Sequence, residues 1–184
     1  MLHVVIPGVK AELFDNSKNE FIQIDVRAQE LQLEHSLVSL TKWESGYKKP
    51  FLSKEDKTVQ ETLDYIRCMT LTQNVDPNVY KYIPKDIMDT IGKYMESSMT
   101  ATTFNNNDKR RNQAEVITSE IIYYWMVTLN IPFECQKWHL NRLLALIQVC
   151  NIKNAPEKKM SQKELIARNR ALNASRKKAM HTSG

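Results

Sequence analysis

Glycine is scarce in this chain of 184 residues: there are four, at positions 8, 46, 92 and 184, and no two are neighbours. A loop that cradles phosphate needs glycines clustered ahead of a helix, so P-loop and Rossmann-type nucleotide chemistry is excluded. Neither GxSxG nor HExxH occurs, which removes nucleophile-elbow hydrolases and helix-borne zinc proteases. Cysteine is equally thin. Cys68, Cys135 and Cys150 are odd in number and widely spaced, with no CxxC pair. That pattern suits neither a disulfide framework nor a zinc or redox centre, and it reads as three reduced thiols in a reducing compartment. Long apolar runs are missing too. The longest, Ile121–Val127, falls far short of the roughly 20 residues of a membrane helix. The apolar start Leu2–Pro7 lacks the basic flank of a secretory signal. The expectation is a soluble protein that acts in the cell where it is made.

What is present is ordinary globular material, 42% apolar and 26% charged, enough to bury a core. The net charge of +5 is unevenly spread. Residues 1–152 hold 17 Lys and Arg against 19 Asp and Glu, a balance of −2, whereas residues 153–184 hold nine against two, a balance of +7. The basicity therefore belongs to the C-terminal segment, and such asymmetry points to a tail that meets something acidic. This predicts a helical domain over 1–152 and a basic tail over 153–184.

The first 27 residues read as β structure. Glu12–Phe14 and Glu20–Ile24 flank the turn-forming run Asp15–Asn19, the form of a hairpin. His3–Ile6, closed by Pro7-Gly8, offers a third strand. From about Leu31 the spacing turns helical, with Leu33, Leu37, Leu40 and Tyr47 on one face and Gly46 and Pro50 at its end. Ser53 with Asp56 predicts the next helix start. Asp76-Pro77 opens a short helix through Tyr82, and Pro84 opens another whose buried face carries Ile87, Met88, Ile91 and Met95. Thr100–Phe104 has extended character, and Asn105–Asn112 is a polar surface loop. Asn112 and Glu115 then start the most hydrophobic helix, apolar nearly all round through Leu129, which predicts the central buried element. After Asn130-Ile131-Pro132, a partner helix is expected from Glu134 to Val149, folded back as an antiparallel hairpin. Ser161-Gln162-Lys163-Glu164 forms a capping box for a basic helix from Lys163 to about Lys178. The fold class expected is mainly α, with a small N-terminal β-hairpin or three-stranded sheet and a basic C-terminal helix.

Catalytic arrangements are absent from this pattern. Glu34-His35 opens a helix, and His139 and Arg142 share a helical face at three-residue spacing; packing or capping accounts for both better than catalysis does. Glu61 with Asp64, and Asp86 with Asp89, read as solvated helix faces. The tail has cations for phosphate at Arg168, Arg170, Arg176, Lys177 and Lys178, but no Tyr, Phe or Trp for base stacking. An acidic protein partner fits it better than nucleic acid, which stays open. No enzyme, no cofactor and no metal is expected.

Particular strings carry more than the statistics. Leu31 to Leu40 with Lys42-Trp43-Glu44, Glu61 to Ile66, Met99 to Thr102, Ile121 to Met126 through Leu129 to Glu134, Trp138 to Leu143, and Ser161 to Arg176 resemble a small protein of tailed-bacteriophage structural gene clusters. The likeness spans nearly the whole chain and is to tail assembly chaperones, helical factors that bind the tape measure protein and deliver tail tube subunits. It implies action in the host cell cytoplasm, no catalytic residue, and helical partners received in grooves. The residues nominated for partner contact, from their own chemistry, are Trp43, Tyr47, Met95, Met99, Trp138 and Arg142, with the tail cations Lys163, Arg168, Arg170, Arg176, Lys177 and Lys178. Met69, Met88 and Met126 are further flexible candidates, though methionine at helical spacing more often lies in a core. Homo-oligomers are compatible with this reading. Two alternatives stay open: a structural component of the virion neck, tail or baseplate that contacts neighbouring subunits, and a nucleic-acid-binding accessory protein using the tail.

Overall fold

The computed structural model describes residues 1–15, 19–104, 116–155 and 162–180. It is mainly α with a small β part. The chain divides into two compact units, Met1–Asn151 and Ile152–Gly184.

In the first unit, β1 (Leu2–Ile6) pairs antiparallel with β4 (Gln29–Leu33), and β2 (Val9–Asp15) with β3 (Glu20–Val26). The hairpin is the one expected, although Asn16–Lys18 of its turn lie outside the described residues. His3–Ile6 does form a strand, but its partner is β4, in a separate two-stranded sheet. Alternation explains β4: Leu31 and Leu33 are buried while Glu30 and Gln32 face out. The helical reading from Leu31 is thus corrected. Leu33, Leu37 and Leu40 mimic one helical stripe, yet Leu33 ends a strand and the helix starts four residues later. Beyond the second helix, the backbone returns to this strand's edge, Leu71 N donating to Gln32 O at 2.8 Å and Glu34 N to Met69 O at 2.9 Å.

Helix α1 (Leu37–Tyr47) begins at the N-cap Ser36, where Ser36 and Ser39 cap each other reciprocally. Helix α2 (Val59–Met69) starts at Thr58 and not at Ser53. Thr58 and Glu61 make the full box, Glu61 Oε2 accepting from Thr58 N at 2.8 Å; the Asp56 side chain is one methylene shorter than the Glu of that motif. Asp76 Oδ1 accepts from Asn78 N at 2.9 Å, leading into a 3-10 turn at Val79–Tyr82. Helix α3 (Lys85–Glu96) opens after Pro84 as expected. Thr100–Phe104 forms no strand.

Helix α1 is the hub of the core, packing against α2, α4 (Ser119–Thr128) and a second 3-10 turn at Phe133–Lys137. Leu37, Leu40 and Trp43 of α1 meet Tyr65, Ile66, Met69, Ile122, Met126, Leu140 and Leu143 in one buried cluster. Two expectations about this region are corrected. The predicted start at Asn112 and Glu115 falls outside the described residues, but residues 116–118 are not helical, and α4 begins after Thr118. Nor is α4 the central buried helix: one side is covered and the other is open to water. The expected antiparallel hairpin is corrected as well: α4 packs chiefly on α1, not on the helix that follows it, and that helix, α5 (Leu140–Asn154), starts six residues after Glu134, beyond the 3-10 turn.

In the second unit, α6 spans Gln162–Met180, bracketing the helix expected from Lys163. Ser161, the predicted cap, lies outside the described residues. Every described side chain from Leu165 to Met180 is exposed.

Candidate functional site

The two histidines singled out by sequence meet in the interior. His35 ends the link from β4 to α1, and His139 immediately precedes α5; their rings stand edge to face with centroids 5.1 Å apart. Both are about 4% exposed. Leu140 N donates to His35 O at 2.7 Å, tying the start of α5 to the start of α1. His139 Nε2 donates to Tyr94 O at 3.0 Å, and its Nδ1 accepts from Asn141 N at 3.3 Å. That pair of bonds fixes a neutral ring. His35 Nδ1 shares a hydrogen bond of 2.6 Å with Tyr65 Oη.

Burial holds His35 down at about 4, with the neighbouring His139 ring adding to the effect. His139 is lowered for the same first reason. Tyr94 Oη donates to Glu34 Oε1 at 2.6 Å, and burial together with that carboxylate raises its phenol. Asn141 Nδ2 donates to Met95 O at 2.9 Å and Ser97 O at 2.8 Å, closing the end of α3. These groups join four segments through hydrogen bonds made in or at the edge of the core. The expectation that His139 and Arg142 share a helix face is corrected: His139 turns inward, while the Arg142 guanidinium lies 4.3 Å from the centroid of the Trp138 ring.

A second polar anchor goes unannounced in the sequence. Glu44, buried on α1, accepts from Phe51 N through Oε1 and from Ser119 N through Oε2, each at 2.8 Å. One carboxylate thus holds the turn after α1 and the first residue of α4, where the helix dipole favours negative charge. Nothing in its local spacing signals a partner 75 residues away. Glu61 likewise departs from the solvated face expected of it. It is buried in the α2 cap, its carboxyl held low chiefly by the Thr58 backbone and then by Lys49 at 3.0 Å.

The surface beside α1 and α2 carries a groove of about 380 Å³ lined by Lys42, Trp43, Gly46, Tyr47, Asp64, Arg67 and Cys68. Trp43 is buried and stacks on Tyr47 at 4.6 Å; its Nε1 donates to Glu61 O at 2.9 Å. Tyr47 Oη donates to Asp64 Oδ2. This bond raises the Tyr47 phenol to about 12 and lowers the Asp64 carboxyl. Of the other nominated residues, Met95 and Trp138 are half-buried and pack on the core, while Met99 and Arg142 are exposed. Met69 and Met126 are fully buried, and Met88 is half-buried. Arg168, Arg170, Arg176, Lys177 and Lys178 are exposed on α6. The Lys163 side chain lies outside the described residues.

Sequence periodicity also misses the outer side of α4. Ile122 and Met126 turn inward, whereas Tyr124 and Val127 are 65% and 58% exposed, and Phe133 after the helix is 53% exposed. Phe133 lies near Tyr123, with ring centroids 6.3 Å apart. Among the described residues, no group of three or more His, Cys, Asp or Glu could hold a metal ion, and no helix is long and apolar enough to cross a membrane. Comparison with protein families, curated proteins and solved structures finds no match to this chain.

Proposed function

We propose that this chain is a bacteriophage tail assembly chaperone that binds the tape measure protein and tail tube subunits in the host cell cytoplasm, without enzymatic chemistry. The observation that carries the reading is the uncovered half of α4. Tyr124 and Val127, with Phe133 beyond them, expose apolar side chains on a helix whose sequence suits burial on both sides. Patches of this kind mark surfaces for association. An amphipathic helix of a tape measure protein, laid along α4, covers them as a helix covers a groove. The resemblance of Ile121 to Glu134 to the tail-chaperone strings supports the same reading.

The test is affinity capture of the tagged chain from infected cells. The wild-type protein is expected to recover tape measure and tube proteins, and Tyr124→Glu combined with Val127→Asp is expected to lose them while unfolding at an unchanged temperature. Stoichiometric presence of the chain in purified particles overturns the chaperone reading in favour of a virion component.

A further inference from the structure

The cations of α6 encircle the helix. Residues 165–180 hold five Lys and Arg and no acid, and every side chain in that stretch is exposed. Measured around the axis from Gln162, Arg170 and Lys177 fall at about 80° and 60°, Arg176 and Arg168 at about −40° and −120°, and Lys178 at about 160°. Neighbouring cations are never more than about 100° apart.

Between the two flanks runs a line of amides. Gln162, Asn169 and Asn173 lie within about 20° of one direction and cover about 16 Å of the axis. Ile166 and Met180 adjoin this line, and Arg176 separates it from Leu165 and Leu172, so the helix has no continuous apolar side.

Three classes of partner fit this arrangement poorly. A lipid surface takes up a helix through an unbroken apolar face. Single-stranded nucleic acid stacks on aromatic rings, and residues 153–184 contain none of Phe, Tyr or Trp. A flat acidic protein surface meets one side of the helix and leaves the cations on the far side unpaired. A groove walled on both sides by phosphate and floored by hydrogen-bonding groups meets both flanks and the amide line together. The major groove of B-form DNA is about 12 Å wide, admits an α-helix and offers adenine N6 and N7 to Asn or Gln. The amide line matches about five base pairs at about 3.4 Å each.

We infer that α6 lies in the major groove of duplex DNA, with Arg170 and Lys177 toward the phosphates of one wall, Arg168 and Arg176 toward those of the other, and Asn169 and Asn173 facing the base edges. Phosphate contacts supply most of the affinity and set the orientation of the helix, which brings the amides to the bases. No residue of α4 takes part, so this binding stands whether or not that helix receives a tape measure protein.

Fluorescence anisotropy of a short, labelled, mixed-sequence DNA duplex, titrated with the full chain at several salt concentrations, reads the interaction. Log affinity is expected to fall against log salt with a slope of about −3 to −4, from four wall cations at about 0.9 each. Arg170→Gln combined with Lys177→Gln is expected to make that slope shallower by about two. An RNA duplex of the same sequence has a major groove too narrow to read, and is expected to bind at least about tenfold more weakly. Asn173→Glu and Ala171→Glu add the same charge on opposite sides of the helix, and the first is expected to lose at least about tenfold more affinity. Circular dichroism of each variant checks that the helix is kept. Absence of duplex binding at low salt overturns the inference, as do equal affinity for the RNA duplex, an unchanged slope in the double variant, or equal losses in the two Glu variants. Polyglutamate bound as tightly as the duplex at the same salt also overturns it and makes an acidic polypeptide the partner.

Discussion

His35 sits where a charge is least welcome, beside a second imidazole and bonded to Tyr65. Its ring titrates at about 4 in the fold and near 6.5 in the unfolded chain. Between those values the unfolded state binds the extra proton, so stability is full above pH 6.5 and falls as the pH drops toward 4. The loss amounts to about 3 kcal/mol for this group, and His139 moves in the same direction. Urea midpoints measured across that window should fall with pH in the wild-type protein and much less in His35→Gln. An equal slope in both proteins would remove His35 as the source. The carboxylates Glu61 and Asp64 act lower on the scale, since their carboxyls are depressed and their contribution fades only in more acid solution.

The helices show which local signals suffice to place an element. Pro84 ahead of Ile87, Met88 and Ile91 places α3, and the polar run between two β-branched stretches places the β2–β3 hairpin, because in both cases the boundary is written in neighbouring residues. The start of α2 is legible but competes with a decoy: Ser53 and Asp56 stand five residues ahead of Thr58 and Glu61, and only the latter pair closes both hydrogen bonds. Thr58→Ala should therefore cost about 1 kcal/mol in thermal or denaturant unfolding, whereas Ser53→Ala should cost nothing measurable. The segments that are not legible depend on distant partners. Gln29–Leu33 is a strand because β1 pairs with it, and α4 is half covered because α1, a segment far upstream, is what it packs on. The two histidines read locally as packing at the edge of a core; their meeting across the fold is beyond any local pattern, as is the reach of Glu44.

At the scale of the molecule, the three thiols are free, with Cys135 buried and Cys68 and Cys150 half-buried. Burial raises the Cys68 thiol, which lowers its reactivity near neutral pH. Ellman titration of the native protein should proceed slowly at the two half-buried thiols, and Cys135 should react only in denaturant; three fast equivalents from the native state would contradict this packing. The Glu44 carboxylate bears on how the molecule comes into being. A ribosome delivers α1 and Phe51 well before Ser119 has been made, so the donor for one of the two carboxylate oxygens does not yet exist when the donor for the other does. The corner between α1 and α4 can therefore dry only after the 75 residues that separate the two groups have been made, and joining them carries the entropy cost of closing a long loop.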